Sequence, residues 1–377
     1  MKKEIIFFCY GDSRDASTWS NVPYLFTKTL MEKGFLVHHI DLSPNKIYAR
    51  FYNYIYTPIS KLLFNDYCDF RFSRILSYFT YKKIRKTVRK YNKADLCVFT
   101  MFDYYNKFSN IKTIQFCDWI YDVYLERLGR KPTNKELRFM AQQAEALNNS
   151  EYVVSLFSEC AEHIRKVYPQ ANVVYLNRNV INNFYSKKID INRTIADKSN
   201  NRSIIFIGTT KYKEAADKLI GALEILKDRN SLIELNLIGM QNSDFDNDIP
   251  DFVHCYGYLR KDNVGERNLY YKLLLSATLF VNVSPLWSGY SSTVEAMYFY
   301  TPIIVAPYKD FTKVFGIDID FGKYNEKCTE ESIADDILSI IDSEDYNQMC
   351  INAHKPVEDY TWSKYVDKLL KTVSYVE

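Results

Sequence analysis

The chain has 377 residues, 47% of them hydrophobic and 25% charged, which describes a soluble globular protein long enough for two domains with substantial cores. Its eight cysteines are scattered without a Cys-x-x-Cys pair, and its five histidines form no metal-spaced cluster, so we predict reduced thiols, a cytoplasmic setting and no structural zinc. No segment resembles a transmembrane span. The opening MKKEIIFFCY is predicted to be a strand and not a signal peptide, because Glu4 interrupts the apolar run and no small-residue cleavage site follows.

The overall charge of +3 conceals a strong asymmetry along the chain. Residues 44–93 contain twelve Lys or Arg and two Asp, a net charge of +10, so the remainder carries −7. Within this segment, apolar side chains recur at roughly helical spacing among basic ones: Phe72, Leu76, Phe79, Ile84, Val88 and Tyr91 among Lys82, Lys83, Arg85, Lys86, Arg89 and Lys90. The pattern fits either an amphipathic surface resting on anionic lipid headgroups or a helix packed on a sheet with a solvated basic face. Nucleic acid is disfavoured as a partner, because no recognised reading motif accompanies the charge.

The first forty residues predict a strand, helix and strand in succession. Residues 5–10 form a short apolar strand, Pro23 can open a helix that ends near Gly34, and residues 35–41 form the second strand. The loop between them, GDSRDASTWSNVPY, lies where parallel sheets bind ligands, beyond the carboxyl end of a strand. It is not a G-x-G-x-x-G sequence, so a dinucleotide cofactor is disfavoured.

Strand and helix patterns then alternate along both halves of the chain. Strands are predicted at 95–100, 112–116, 152–156, 173–176, 204–208, 235–239, 252–256, 277–281 and 302–306, and helices at 158–168, 215–227, 270–276, 332–341 and 362–376. Residues 184–203 are polar and aperiodic and are predicted to be the interdomain linker. The chain is therefore predicted to be α/β, with two Rossmann-like domains facing across a cleft.

The stretch SPLWSGYSSTVEAMYFYTP, residues 284–302, has the pattern of an anion site. A turn containing Gly289 leads into a helix whose first turn holds Ser291, Ser292 and Thr293, and the amides at such a helix start attract phosphate. Glu295, about one turn further, can accept hydrogen bonds from the vicinal hydroxyls of a ribose. The alternative is an ordinary serine-capped helix with a solvated glutamate.

Together these motifs resemble the retaining, nucleotide-sugar-dependent glycosyltransferases of the two-Rossmann GT-B type, in particular the group 1 or family 4-like enzymes. The resemblance covers nearly the whole chain except residues 44–93. It is carried by TWSNVPY, EALNNSEYVVSLFSECAEHIRKVYP, IIFIGTTKYKEAADKLIGALEILK, LSATLFVNVS with VEAMYFYTPIIVAPY, and DYTWSKYVDKLLKTV. It implies an acceptor-side domain at 1–183, the linker at 184–203, a nucleotide-sugar-binding domain at 204–355, and a C-terminal helix at 356–377 that returns to the first domain.

The resemblance also implies roles for individual residues. The catalytic candidates are Asp118, Lys213 and Glu295. The donor-binding candidates are Gly208, Thr209, Lys211, Lys213, Tyr258, Leu259, Gly289, Tyr290, Ser291, Ser292, Thr293 and Glu295. The acceptor-side loop would contribute Gly11, Trp19, Ser20 and Asn21. No metal or cofactor is expected beyond the donor itself, because helix-terminus amides and lysines can neutralise a departing diphosphate.

Two positions depart from the pattern of the resembled enzymes. Trp287 occupies the place of the first glutamate of their usual pair, and Thr209 the place of an arginine. The alternatives are therefore an active metal-independent transferase, a binding or scaffolding subunit that has lost catalysis, and, more weakly, a sugar-nucleotide epimerase. The acceptor would be a glycan, a lipid-linked glycan or a protein, with anionic membrane as a further partner if residues 44–93 bind lipid. The Lys-, Asn-, Ile- and Tyr-rich composition hints at a bacterial source, with the protein cytoplasmic or peripheral on the inner face of the cell membrane.

Overall fold

The structure is a computed structural model that describes residues 3–64, 70–229, 231–285 and 290–373. It divides into two compact units. The first combines Met1–Asn179 with Trp362–Glu377, and the second is Val180–Thr361. The chain therefore passes between the units twice, after Asn179 and after Thr361.

Each unit contains a six-stranded, entirely parallel sheet. The first sheet has the order β2-β1-β3-β4-β5-β6 and the second the order β12-β11-β10-β7-β8-β9. The strands are β1 Glu4–Cys9, β2 Leu36–Asp41, β3 Leu96–Phe99, β4 Lys112–Cys117, β5 Tyr152–Ser155, β6 Val173–Tyr175, β7 Ser203–Ile207, β8 Glu234–Ile238, β9 Val253–Cys255, β10 Leu279–Asn282, β11 Ile303–Val305 and β12 Gly322–Tyr324. Their central members are apolar and buried, as a parallel sheet covered on both faces by helices requires.

Helices connect the strands in the manner of doubly wound α/β domains. They are α1 Val22–Glu32, α2 Lys46–Phe51, α3 Thr57–Phe64, α4 Arg74–Lys90, α5 Tyr121–Arg127, α6 Asn134–Asn148, α7 Ser158–Val167, α8 Ile191–Asn201, α9 Lys213–Asp228, α10 Val264–Ser276, α11 Ser291–Tyr298, α12 Lys309–Phe315, α13 Glu330–Ile341, α14 Tyr346–His354 and α15 Trp362–Thr372. A π-helical segment, Tyr52–Tyr56, joins α2 to α3. Pro23 lies in the first turn of α1 and Gly34 follows that helix with φ +91°, which gives both residues the positions predicted from sequence.

The last helix is part of the first unit, although the second unit precedes it in sequence. The indole of Trp362 stacks on Phe26 with the ring centroids 5.3 Å apart, and Tyr365 meets Phe116 edge to face. Lys33, which follows α1, forms an ion pair of 2.6 Å with Asp367. The amphipathic pattern of α15 therefore closes the core of the first sheet.

The stretch expected to be an aperiodic linker, 184–203, contains a helix. Asp190 caps α8 by accepting a hydrogen bond from the Arg193 amide, and the helix buries Ile195 and Lys198 in the second unit. Sequence periodicity missed α8 because its buried face includes a lysine. The Lys198 ammonium donates to the carbonyls of Leu274 and Ala277 and to the Thr301 hydroxyl at 2.8–2.9 Å, and burial lowers its pKa to about 7.

We expect Lys198→Met to lower the free energy of unfolding of the second unit by about 1–3 kcal/mol at pH 9 and by less at pH 6, where the wild type also bears the cost of burying the charged ammonium. The substitution keeps most of the side-chain volume but leaves two buried carbonyls and a buried hydroxyl without their donor. Chemical denaturation followed by circular dichroism measures the change. Lys272→Met, at an exposed position on the neighbouring α10, is the control and should change stability by less than about 0.5 kcal/mol. Equal effects of the two substitutions would contradict this role for Lys198.

The basic segment 44–93 contains both a packed helix and an exposed apolar surface. On α4, Leu76, Ile84 and Val88 are buried, and Ile84 and Val88 share a core cluster with residues of β1 and β3, as in the packed-helix interpretation. Other apolar side chains, mostly N-terminal to that face, are exposed. Of the 22 large apolar side chains that are exposed among the described residues, ten lie between Ile47 and Phe79. These ten, which we call the exposed apolar surface, are Ile47, Phe51, Tyr54, Ile55, Tyr56, Ile59, Leu62, Ile75, Tyr78 and Phe79.

Candidate functional site

The second sheet brings its candidate site residues to one edge. The chain runs β7, β8, β9 to one side and then β10, β11, β12 to the other, so strand order reverses between β7 and β10. Ligands of open α/β sheets bind beyond the carboxyl ends of the strands at such a reversal. The loop beginning at Gly208 and the turn leading into α11 follow these two strands.

Three glycine-containing turns are joined by hydrogen bonds at this edge. The Gly208 amide donates to the Ile238 carbonyl at 2.9 Å, and the Gly239 amide to the Gly257 carbonyl at 2.7 Å. A Cβ on Gly239, whose φ is +106°, would lie 2.4 Å from the Gly208 carbonyl oxygen, so only glycine fits there. Thr209 follows in extended conformation and is exposed, and Lys211 is exposed in the short 3₁₀ turn after it.

Lys213, expected to face phosphate, is held by carboxylates. It begins α9, and its ammonium lies 2.7 Å from Asp246 and 3.1 Å from Asp217. These pairs raise the pKa of Lys213, the Asp246 hydrogen bond contributing most. The ammonium has three N–H groups, so one is left for a phosphate while both carboxylates stay in place.

The start of α11 has the geometry of an anion site. Its first intrahelical hydrogen bond runs from the Val294 amide to the Tyr290 carbonyl, so the amides of the first turn have no carbonyl of their own helix to bond. The N-cap residue, Tyr290, provides no side-chain cap; its ring is buried against Phe311. Ser291 is exposed, Ser292 half-buried and Thr293 buried. Trp287 and Gly289 lie outside the described residues.

Glu295 is buried and paired, unlike the solvated glutamate of the capped-helix alternative. Its side chain is 6% exposed, and the Lys261 ammonium donates to Oε1 and Oε2 at 2.6 and 2.8 Å. The Tyr270 hydroxyl donates to Oε2 at 2.8 Å. A carboxylate has about four acceptor positions, and three are taken, so Oε1 holds the remaining capacity. Glu295 can therefore accept one further hydroxyl without losing a partner.

Sequence reasoning missed Lys261 and Tyr270. Lys261 lies in the turn after β9 and Tyr270 within α10, which puts them 34 and 25 residues before Glu295. Neither has a sequence signal, because their proximity to Glu295 depends on how three separate elements pack. Tyr258 and Leu259, expected to meet the nucleobase, lie in the same β9–α10 turn; Tyr258 is 62% exposed and Leu259 is buried.

In the first unit, the loop after β1 has an unusual backbone. Trp19, Ser20 and Asn21 are consecutive residues with φ of 38°, 52° and 74°, a left-handed conformation that non-glycine residues rarely adopt. Gly11 begins the loop with φ +98°, and its amide donates to Asp41 Oδ1 and Ser43 Oγ at 2.9 and 2.7 Å. Such strained residues cluster at ligand-binding loops. The four predicted acceptor-side residues are thus held in one structured loop.

Asp118 lies directly after β4, at the carboxyl edge of the first sheet. Its Oδ1 accepts hydrogen bonds from the Trp119 amide at 2.9 Å and from the Cys117 thiol at 3.2 Å. The Trp119 ring lies between the Phe157 ring, with centroids 4.9 Å apart, and the Arg127 guanidinium, 3.8 Å from its centroid. The Asp118 carboxylate is therefore oriented by its own chain neighbours.

Asp103 is a second carboxylate at this edge that sequence reasoning missed. It follows β3, and the order of the first sheet reverses between β1 and β3. The Tyr10 hydroxyl, after β1, donates to Asp103 Oδ2 at 2.9 Å. Burial raises the pKa of Asp103 to about 6. Asp103 lies in the loop that follows a strand, as Asp118 does, and a buried carboxyl with a raised pKa is typical of functional sites.

Because the pKa of Asp103 is raised, we expect Asp103→Asn to increase the stability of the protein in a pH-dependent way. The folded protein holds the carboxyl proton up to about pH 6 and the unfolded chain only to about 3.8, so the native carboxylate costs stability above pH 6. The asparagine amide keeps an acceptor for Tyr10 without a charge. We expect the variant to be about 2–3 kcal/mol more stable than wild type at pH 8 and to lose this advantage below about pH 4, by urea denaturation. A gain independent of pH would contradict the assignment.

Among the described residues, no group of three or more His, Cys, Asp or Glu side chains is arranged to hold a metal ion. The prediction of a metal-independent site remains untested by this observation. Within the same residues, no helix combines the length and apolar character needed to cross a bilayer.

Comparison with solved structures shows the fold class. The chain has the two-Rossmann GT-B fold, as predicted from sequence. Sucrose-phosphate synthase from Thermosynechococcus elongatus matches with TM-score 0.64 at 12% identity, covering 99% of both chains. Anabaena HepE in complex with UDP matches with TM-score 0.62 at 12% identity over 100% of both chains.

A third match is partial. TarM matches with TM-score 0.55 at 16% identity, covering 78% of this chain; the match spans 58% of the length of TarM. No protein-family model matches the sequence. No curated protein matches it either.

Proposed function

We propose that the protein is a glycosyltransferase of the hexosyltransferase class that uses a nucleoside-diphosphate sugar as donor. The observation that carries the proposal is the start of α11 at the strand-order reversal of the second sheet, with the Glu295 carboxylate held about one turn inside the helix. The diphosphate would lie on the first-turn amides and the ribose would donate a hydroxyl to Oε1 of Glu295. Structures of HepE with UDP and with UDP-glucose provide support by fold analogy.

The proposed chemistry is transfer with retention and without a metal. The bond between the anomeric carbon and the β-phosphate oxygen breaks, a bond from that carbon to the acceptor oxygen forms, and the acceptor proton passes to the leaving phosphate. No dedicated protein base is needed. The first-turn amides of α11 and the lysines of the Gly208 loop would stabilise the charge on the departing diphosphate.

Isothermal titration with UDP and with GDP tests the donor site directly. We expect one of them to bind with micromolar affinity at one site per chain, in the presence of EDTA, since no metal is required. Binding that appears only with added Mg²⁺ or Mn²⁺ would contradict the metal-independent part. If neither nucleotide binds under any condition, the proposed function is wrong.

A second candidate is a binding or scaffolding subunit without catalysis. Thr209 in place of an arginine, together with the two carboxylates that hold Lys213, reduces the positive charge available to a leaving diphosphate. Incubation with a panel of nucleotide sugars distinguishes the two candidates. Slow hydrolysis or transfer with release of nucleoside diphosphate supports the enzyme, whereas conversion of the donor without its release would indicate an epimerase. Binding without turnover of any donor would support the subunit.

The acceptor we propose is a lipid-linked glycan, reached by peripheral binding to an anionic membrane on its cytoplasmic face. The exposed apolar surface supports this proposal, since Tyr54 and Leu62 are 78% and 85% exposed. Lys46, Arg50, Lys61 and Arg74 are exposed in the same helices. Exposed apolar side chains interleaved with basic ones fit the boundary between headgroups and acyl chains. A soluble glycan acceptor would not explain the apolar side chains.

A further inference from the structure

Lys261 joins the candidate donor site to the segment where the chain enters the second unit. Besides its two hydrogen bonds to Glu295, its ammonium donates to the carbonyl oxygen of Asn182 at 3.1 Å. Asn182 is the third residue of the second unit. The ammonium group has three N–H groups. Two of them bond to Glu295 of α11, the helix that would hold the nucleotide sugar, and the third bonds to the segment where the chain enters the second unit.

The segment where the chain enters the second unit is hydrogen-bonded to the segment where it leaves. The Ile181 amide donates to the carbonyl of Tyr360 at 2.8 Å, and Tyr360 lies two residues before the second crossing at Trp362. The Phe184 amide donates to the Tyr271 hydroxyl at 2.7 Å, next to the tyrosine that contacts Glu295. Glu295 is therefore connected through Lys261 to the segment where the chain enters the second unit, and the bond between Ile181 and Tyr360 connects that segment to the one where the chain leaves.

The burial of this ion pair is costly for a purely structural contact. The side chains of Lys261 and Glu295 are only 12% and 6% exposed. Removing both charges from water costs several kcal/mol, and a well-packed apolar pair at such a position is often as stable or more stable. A role in positioning the carboxylate and the crossing segment explains why charged groups occupy these positions.

We propose that Lys261 is a positioning residue, through which a nucleotide bound at the donor site stabilises the folded conformation of residues 180–185. The inference rests on the proposed function, because it takes a nucleoside diphosphate as the ligand of Glu295. A ribose hydroxyl on Oε1 fixes the carboxylate, the carboxylate fixes the ammonium, and the ammonium holds the Asn182 carbonyl. Opening of residues 180–185 then requires release of the nucleotide.

Amide hydrogen exchange with and without UDP tests this coupling. At a UDP concentration about 100 times its Kd, amides whose opening requires nucleotide release exchange about 100-fold more slowly. In the wild type we expect this slowing both in a peptide covering 180–185 and in one covering α11. For Lys261→Met, UDP is added at about 100 times the Kd of that variant. We then expect the slowing in the α11 peptide but not in the peptide covering 180–185.

The control is Tyr270→Phe, which removes a donor from the same carboxylate without touching Asn182. We expect it to keep the slowing in both peptides. Lys261→Met leaves Glu295 buried without its counter-ion and so lowers stability. The double variant Lys261→Met with Glu295→Gln has no unpaired charge, and we expect it to be more stable and to lose the slowing in 180–185 as well.

The outcomes separate this inference from the proposed function. If UDP binds the wild type but leaves exchange of 180–185 unchanged, the coupling is wrong and the donor site stands. Slowing of 180–185 in both Lys261→Met and the double variant would also overturn it. If neither UDP nor GDP binds the wild type, the proposed function fails and the coupling fails with it.

Discussion

Glu295→Ala is expected to destabilise the second unit by about 3–5 kcal/mol, independently of any effect on sugar transfer. The substitution leaves the Lys261 ammonium buried without a counter-ion and the Tyr270 hydroxyl without an acceptor. Loss of activity in this variant would therefore not by itself prove a catalytic role. Urea denaturation of the purified Glu295→Ala variant measures the change in the free energy of unfolding. Glu214→Ala, which removes an 83%-exposed partner of Lys218, should cost less than about 1 kcal/mol.

Two further variants separate stability from function. Glu295→Gln combined with Lys261→Met removes both charges and is expected to recover most of the lost stability, because no unpaired charge stays buried. If Glu295 also receives the ribose, the double variant should bind UDP about 10–100-fold more weakly than wild type, since a hydrogen bond to a charged group contributes about 1.5–3 kcal/mol. Restored stability with undiminished UDP affinity would show that Glu295 only anchors α11.

Removing three side chains of the exposed apolar surface is expected to weaken binding to anionic vesicles about 100-fold. The variant carries Phe51→Ser, Tyr54→Ser and Leu62→Ser. Each of these side chains would bury part of its area in the headgroup region, which contributes about 1 kcal/mol, and about 3 kcal/mol in total corresponds to about two orders of magnitude. Co-sedimentation with phosphatidylglycerol-containing vesicles gives the partition coefficient. The thermal unfolding midpoint should not change, because all three positions are exposed.

The second unit offers a matched control. Leu232, Val264 and Ile317 are 62%, 61% and 79% exposed, and their replacement by serine removes a comparable exposed area from outside the proposed membrane surface. Vesicle binding of this variant should equal that of wild type. Reversing Lys82, Lys83, Arg85 and Lys86 to Glu should weaken binding mainly at low salt. If the wild type does not sediment with vesicles, or if both serine variants lose binding equally, the membrane proposal is wrong.

The sequence alone predicted most of the architecture. Apolar runs of strand length, alternating with helical periodicity and bounded by Gly, Pro and capping residues, are local signals. They predicted two parallel sheets, a helix with Pro23 in its first turn and a helix with Ser291 in its first turn. The GT-B type came from the resemblance of the motifs to that family, and the solved structures confirm the fold.

Only the tertiary structure determined which ion-pair and hydrogen-bond partners the site residues have. Lys213 was expected to face phosphate, but Asp246, 33 residues further along the chain, lies 2.7 Å from it. Glu295 was expected to hold a ribose, and nothing in the sequence indicated that Lys261 and Tyr270 occupy three of its acceptor positions. Periodicity reports which face of an element is apolar, whereas ion pairing depends on which loops meet after folding.

The same distinction explains the helices that were misread. In α4 the periodicity correctly marked a buried face at Leu76, Ile84 and Val88, but it could not show that Ile75, Tyr78 and Phe79 stay exposed, because apolar residues on both sides obscure the pattern. In α8 the buried lysine made a packed helix look like a linker. Lys198 is tolerated there only because α10, the residue after it and Thr301 supply its three acceptors, and no local pattern encodes such an arrangement.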